Sequence, residues 1–170
     1  RLAATVLYSG SEFKGKVTSI QAGQKVWNQQ TGSYDYITGM SLGDKDENEL
    51  LIRGFDGPSE DKNITNTGFY LKKFVSTSSD AGLSAVKASN YWPIFRYAEI
   101  LLNTAEAGFE LGKPQAIDYI NAIREDAGFG PNSLVSLTFE DIIQERKVEL
   151  AFEGHRYFDL KRWRLSEQII

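Results

Sequence analysis

The chain has 170 residues, of which 41% are apolar, enough to pack a core in one domain of ordinary size. Its formal net charge is −4, with both signs spread along the chain, so there is no basic stripe to grip a phosphate backbone, which argues against nucleic acid as a partner. Cysteine is absent, which removes a disulfide framework, a thiolate metal site and a cysteine nucleophile from these residues.

The chain opens Arg1-Leu2-Ala3-Ala4-Thr5, with no basic-then-apolar signal segment, and nowhere carries an apolar run long enough to span a bilayer. Residues 1–90 are dense in turn signals: Gly10-Ser11, Thr31-Gly32, Gly43-Asp44 and Asp56-Gly57-Pro58. The apolar runs between them are short. Thr5-Val6-Leu7-Tyr8 and Tyr70-Leu71 fit brief strands, and no helical period persists, so this region reads as loops with a few short elements.

From Pro93 the apolar positions repeat every three or four residues. Ile94, Ala98, Leu101, Ala105 and Phe109 share one face of a predicted helix that Gly112 ends. Pro114 opens a second helix, which buries Ala116, Ile120, Ile123 and Ala127 and stops at Gly128. The pair has the length of one tetratricopeptide-type hairpin, with small residues Ala98, Ala105 and Gly108 at the helix approach. A lone hairpin buries too little surface to stand alone, so further helical units are expected in sequence ahead of Arg1. Thr138, with Asp141 three residues on, caps a third helix running to about Glu153. A short fourth spans His155 to Trp163, its Trp and Phe expected in the core.

Two segments carry a resemblance. Phe95-Arg96-Tyr97-Ala98-Glu99-Ile100-Leu101-Leu102 with Ala105-Glu106-Ala107, and the run Glu145-Arg146-Lys147-Val148-Glu149-Leu150-Ala151-Phe152-Glu153-Gly154-His155-Arg156-Tyr157-Phe158-Asp159-Leu160-Lys161-Arg162-Trp163, resemble signatures of SusD/RagB proteins. Asn121-Ala122-Ile123-Arg124 with Ala127-Gly128 falls between them in the family's order. The resemblance implies a mainly α fold of tetratricopeptide-like helical hairpins, with a loop-rich region containing short strands. Within it, 1–90 is the expected ligand-surface region and 91–170 the helical C-terminal region of one domain whose N-terminal half lies outside this sequence.

It also implies function: a surface-exposed lipoprotein of the outer membrane that binds an oligosaccharide or polysaccharide and delivers it to a SusC-like TonB-dependent transporter. Membrane contact would run only through a lipidated cysteine ahead of Arg1. No catalytic residue, metal or cofactor is expected. A tetratricopeptide adaptor would need more repeats and a peptide groove, and a glycoside hydrolase two opposed carboxylates about 5–10 Å apart.

Arg146, Glu149 and Glu153 share one helix face, where paired carboxylates could suggest acid catalysis; beside arginine they are read as an ion-pair network. The loop Asp44-Lys45-Asp46-Glu47-Asn48-Glu49 starts like a calcium loop but has Glu49 and Phe55 where Gly and Glu are required. His155, the single histidine, has no imidazole or thiol partner and reads as structural. Sugars stack their C–H faces on aromatic rings and bond amides with their hydroxyls, which makes Trp27, Asn28, Tyr34 and Tyr36, in a glycine-punctuated loop, the ligand-binding candidates. Trp92 and Trp163 are assigned to the core.

Overall fold

The computed structural model describes residues 1–39, 41–58, 64–77 and 90–168. The chain divides into two compact units, Leu2–Asn90 and Tyr91–Ile170, with Arg1 belonging to the second. The fold is of the class that the resemblance implies, mainly α-helical in the second unit, with the first unit loop-rich and its short strands in two-stranded ladders.

The Leu2–Asn90 unit is held by turns rather than by a large core. After a single-turn helix α1 (Leu2–Thr5), β1 (Val6–Leu7) pairs antiparallel with the distant β6 (Tyr70–Leu71), Val6 opposite Leu71 and Leu7 opposite Tyr70. Between these two strands lie the ladder of β2 (Glu12–Phe13) with β3 (Lys16–Val17) and that of β4 (Gly23–Asn28) with β5 (Ser33–Thr38). Leu7 and Ile20 are its buried large apolar side chains among the described residues. Hydroxyls supply much of the rest. Thr18 Oγ1 and Ser11 Oγ each donate at 2.7 Å to the Tyr8 carbonyl, which also accepts the Ser11 N–H at 2.9 Å. The extended segment Ser19–Gln21 is bonded by Gly54 N–H to the Gln21 carbonyl and by Asp56 N–H to the Ser19 carbonyl, both at 2.9 Å. A Cβ on Gly54 would lie 1.8 Å from the Ser19 carbonyl oxygen, so only glycine permits this backbone approach.

In the second unit, α2 (Tyr97–Glu110) and α3 (Ala116–Asp126) form the helical hairpin. Both helices end in the paired backbone bonds of a Schellman motif: Lys113 N–H to Gly108 O at 2.8 Å with Gly112 N–H to Phe109 O at 2.9 Å, and Phe129 N–H to Arg124 O with Gly128 N–H to Glu125 O, each 2.9 Å. Gly112 (φ 63°) and Gly128 (φ 89°) supply the left-handed turn that each motif requires. Gly108 lets the helices close: a Cβ there would lie 3.2 Å from the Ala116 Cβ. The core joins Leu102 and Ala105 of α2 to Ile120 and Ile123 of α3, Ile142 of α4 (Phe139–Glu149) and Leu150. Each fully buried Leu or Ile contributes roughly 1.5–3 kcal/mol. The buried Asn121 clamps the α3–α4 connection in both directions, its Nδ2 donating to Leu134 O and its Oδ1 accepting from Leu134 N–H, each at 2.9 Å.

Thr138 and Asp141 form the expected capping box at the start of α4, Thr138 N–H donating to Asp141 Oδ2 at 2.9 Å and Asp141 N–H to Thr138 Oγ1 at 3.2 Å. Several expectations fail at helix ends. α2 starts at Tyr97 rather than Pro93, because Arg96 is extended (φ −146°, ψ 157°) and its guanidinium is committed elsewhere. α4 stops at Glu149, since Phe152 (φ 64°) and Gly154 (φ 84°) turn the chain left-handed before α5 (Arg156–Arg162). Trp92 and Phe158, assigned to the core, are 58% and 68% exposed. Trp163 is half-buried against Phe139, ring centroids 5.7 Å apart.

Glu149, at the end of α4, and Glu153, just beyond it, have another partner than Arg146. Arg96 bonds Glu149 at 2.8 Å through Nη1 and Glu153 at 2.7 Å through Nε. Arg146 turns away, donating from Nε to Asp159 of α5 at 3.1 Å and from Nη1 to Asn103 of α2 at 2.6 Å. Arg162 bonds Asp159 at 2.9 Å and grips Glu106 with both terminal nitrogens, while Trp163 Nε1 donates to the same carboxylate at 2.8 Å. Arg1 pairs with Glu145, which Arg124 also approaches at 3.5 Å. Burial alone would raise the Glu106 pKa; the bonds from Arg162 and Trp163, with the charges of Arg162 and Arg146, outweigh it and hold the carboxyl below its ordinary value of 4.5. Burial likewise opposes the charge on Arg96, and its bonds to Glu153 and Glu149 raise its pKa despite that.

Two outcomes follow. A depressed folded pKa makes the Glu106 contribution complete above the unfolded value of 4.5 and lost as pH falls through the lower folded value. Thermal melts from pH 7 to pH 3 should therefore show a steeper acid loss of stability in the wild type than in Glu106→Gln. Separately, Arg146→Met leaves the buried Asp159 with Arg162 as its remaining guanidinium partner, and chemical denaturation should report a loss of about 2 kcal/mol, the scale of one lost hydrogen bond to a charged group.

Candidate functional site

The four sequence candidates meet in one element, which is a strand pair and not the loop the sequence suggested. β4 and β5 pair antiparallel from Gly23 opposite Thr38 to Asn28 opposite Ser33, with Trp27 facing Tyr34 and Lys25 facing Tyr36. The alternation explains why: in Lys25-Val26-Trp27 and Tyr34-Asp35-Tyr36 every second residue points to the same side. One face thus carries Lys25, Trp27, Tyr34 and Tyr36, and the opposite face Val26, Asp35, Asn28 and Ile37.

Asn28 builds the turn. Its Oδ1 accepts the amides of Gln30 at 2.9 Å and Thr31 at 3.3 Å, and its Nδ2 donates to Asp35 Oδ2 at 2.7 Å. Gly32, at φ 62°, closes the loop with its N–H on the Asn28 carbonyl at 3.0 Å. The Asn28 amide is therefore engaged within the hairpin, and its place in the site is to shape it.

The aromatic face is open to solvent. Trp27 and Tyr34 are each 51% exposed and Tyr36 75%. Trp27 and Tyr34 meet edge-to-face, centroids 4.9 Å apart and planes at 70°, which fixes both rings without covering them. Lys25, which the sequence reading passed over, lies with its ammonium 4.3 Å from the Tyr34 centroid and 5.9 Å from that of Tyr36. The signal that would have found it is the same two-residue alternation.

The other candidate chemistries are engaged internally. Asp46 Oδ1 accepts the amides of Asn48 and Leu50, both at 2.9 Å, Asp44 Oδ2 accepts that of Ser41 at 2.7 Å, and Lys45 pairs with Glu49 at 2.7 Å. Asp44 and Asp46 thus each commit a carboxylate oxygen to backbone amides of their own loop. Among the described residues no group of three or more His, Asp or Glu is placed to hold a metal ion. Glu149 and Glu153 share Arg96, an ion-pair arrangement and not two carboxylates opposed across a cleft as glycoside hydrolysis needs. His155 faces Glu99, Nδ1 to Oε1 at 3.8 Å. Among the described residues no helix is long and apolar enough to cross a membrane.

A tetratricopeptide-like helical scaffold with a loop-rich unit exposing an aromatic ribbon defines the class. The model of the SusD family matches residues 1–169, and the chain belongs to that family. A SusD-like protein of Formosa agariphila is 37% identical over 113 residues, 59% of this chain and 22% of that protein. One from Bacteroides ovatus is 34% identical over 74 residues, 41% of this chain and 13% of that protein. The crystal structure of a SusD-like carbohydrate binding protein from Bacteroides fragilis superposes with a TM-score of 0.60 at 26% identity, covering 94% of this chain and 27% of that one. These alignments thus span about a quarter or less of each relative's own length.

If Asn28 shapes the ribbon, Asn28→Ala should weaken the hairpin by about 1 kcal/mol, the scale of a lost side-chain hydrogen bond. Amide exchange should quicken across β4 and β5 while exchange in α2 and α3 stays as it was.

Proposed function

We propose that this chain contributes to a cell-surface protein that binds a glycan without transforming it and passes it to a SusC-like TonB-dependent transporter in the outer membrane. The observation that carries the binding half is the solvent-open face of Trp27, Tyr34 and Tyr36, rings held in place by a strand pair and a closed turn. Such a face suits the C–H side of a pyranose, and a prepositioned ring loses little side-chain entropy on binding. Membership of the SusD family supports the same reading, as does the carbohydrate-binding description of the Bacteroides fragilis relative. Delivery to a transporter and tethering by an N-terminal lipid rest on the family alone.

Binding without hydrolysis is supported by the state of the carboxylates. Despite burial, Glu106 is held below its ordinary pKa by Arg162 and Trp163, and Glu149 and Glu153 both bond Arg96, an arrangement unlike the two opposed carboxylates of a glycosidase. The single hairpin of α2 and α3 offers a peptide adaptor little groove, and the exposed aromatic ribbon has no role in that reading.

Isothermal calorimetry against a panel of oligosaccharides, with chromatography of the same mixtures, tests both halves. At least one glycan should bind and remain intact, and Trp27→Ala should weaken it by about 1–3 kcal/mol with no change in melting temperature. Shortened sugars released by the purified protein, or unchanged affinity in Trp27→Ala, Tyr34→Ala and Tyr36→Ala alike, would count against the proposal.

A further inference from the structure

The β4–β5 ribbon separates charge between its faces. Asp35 stands on the side away from the rings, where its carboxylate accepts from Asn28 at 2.7 Å. The aromatic side carries Lys25 and no carboxylate at a ladder position. Among the described residues the Lys25 ammonium has no ion-pair partner; its contacts are the faces of Tyr34 and Tyr36. In a chain of net charge −4 this makes the ribbon's exposed ring surface locally cationic.

From this charge complementarity we infer that the ribbon selects acidic glycans, those bearing a uronate carboxylate or a sulfate ester. The inference rests on the proposal that the ribbon binds sugar at all. An ammonium lying on an exposed ring is held weakly and rotates off at little cost, since four side-chain torsions carry it. Once displaced it uncovers Tyr34 and stays within reach of the same ring surface. A saccharide stacked on Trp27 and Tyr36 would then place an anionic substituent at the ribbon's edge, where the ammonium bonds it with charge assistance. A neutral sugar gains the stacking and no such bond. It also removes the cation from its rings without replacing the interaction. The alternative use of Lys25 is to keep an exposed strand pair from adding further strands, as edge lysines do, and it predicts no dependence on ligand charge.

The test uses acidic polysaccharide oligomers with matched neutral forms: oligogalacturonide and oligoalginate beside their carboxyl-reduced products, and oligocarrageenan beside its desulfated product. Affinities are measured for the wild type, Lys25→Gln and Trp27→Ala at low and high salt. In the wild type at least one acidic member should bind tenfold or more tighter than its neutral partner, with the ratio shrinking as salt rises. Lys25→Gln should bring that ratio close to one, and Trp27→Ala should weaken the acidic and neutral forms together. If no acidic member exceeds its neutral partner, or if the ratio survives in Lys25→Gln, acidic selectivity is overturned while the sugar platform stands wherever Trp27→Ala still weakens binding. If no member of the panel depends on Trp27, the platform reading falls and the inference with it.

Discussion

Arg96 stands one residue ahead of α2 and bonds Glu149 at the end of α4 and Glu153 beyond it, while Arg146 of α4 reaches back to Asn103 of α2 and out to Asp159 of α5. The helical unit depends on this exchange of charges. Its apolar core centres on six buried residues, enough to hold α2, α3 and α4 together but silent about where α5 should lie. α5 is short, and Tyr157 and Phe158 on it are mostly exposed. Its position is set by Asp159, buried between Arg146 and Arg162, and by the grip of Arg162 and Trp163 on Glu106. Buried ion pairs gain little net stability over apolar packing, but they tolerate few wrong arrangements, because any misplaced member leaves a charge stranded.

That requirement bears directly on function. Glu106, Glu149, Glu153 and Asp159 each bond a guanidinium, so this part of the chain commits carboxylates to architecture. The proposed recognition surface lies in the unit whose own core is slight. There Leu7 and Ile20 are buried, hydroxyl-to-carbonyl bonds replace much of the missing packing, and large aromatic side chains remain on the surface. A strand pair closed by Asn28 and Gly32 gives those rings a fixed backbone, while leaving both of its faces accessible.

How much of this could be read from sequence differs by element. α2 and α3 were legible because glycine follows the last apolar repeat of each, and the Schellman bonds at Gly112 and Gly128 are the physical content of that signal. The capping box of Thr138 and Asp141 was equally plain. The partner of Glu149 and Glu153 was not, since helical spacing shows only neighbours on the same helix, and Arg96 lies 53 residues from Glu149. The end of α4 was hidden by Phe152, a residue type that seldom takes a positive φ. At the candidate site the residue types were readable but the element was not: alternation over three residues is too brief to outweigh the surrounding glycines. The strand register then brought Lys25 beside Tyr34, a neighbour that a loop reading could not supply.

The three tryptophans offer the most direct measurement of where a glycan sits. Each indole N–H gives its own resonance in a nitrogen-correlated spectrum, and Trp163 is an internal control because its Nε1 bonds the Glu106 carboxylate. During titration with a saccharide that binds, the Trp27 resonance should shift progressively while that of Trp163 stays fixed. A shift confined to Trp92 or Trp163, with Trp27 unmoved at saturation, would contradict the claim that the β4–β5 ribbon is the sugar platform.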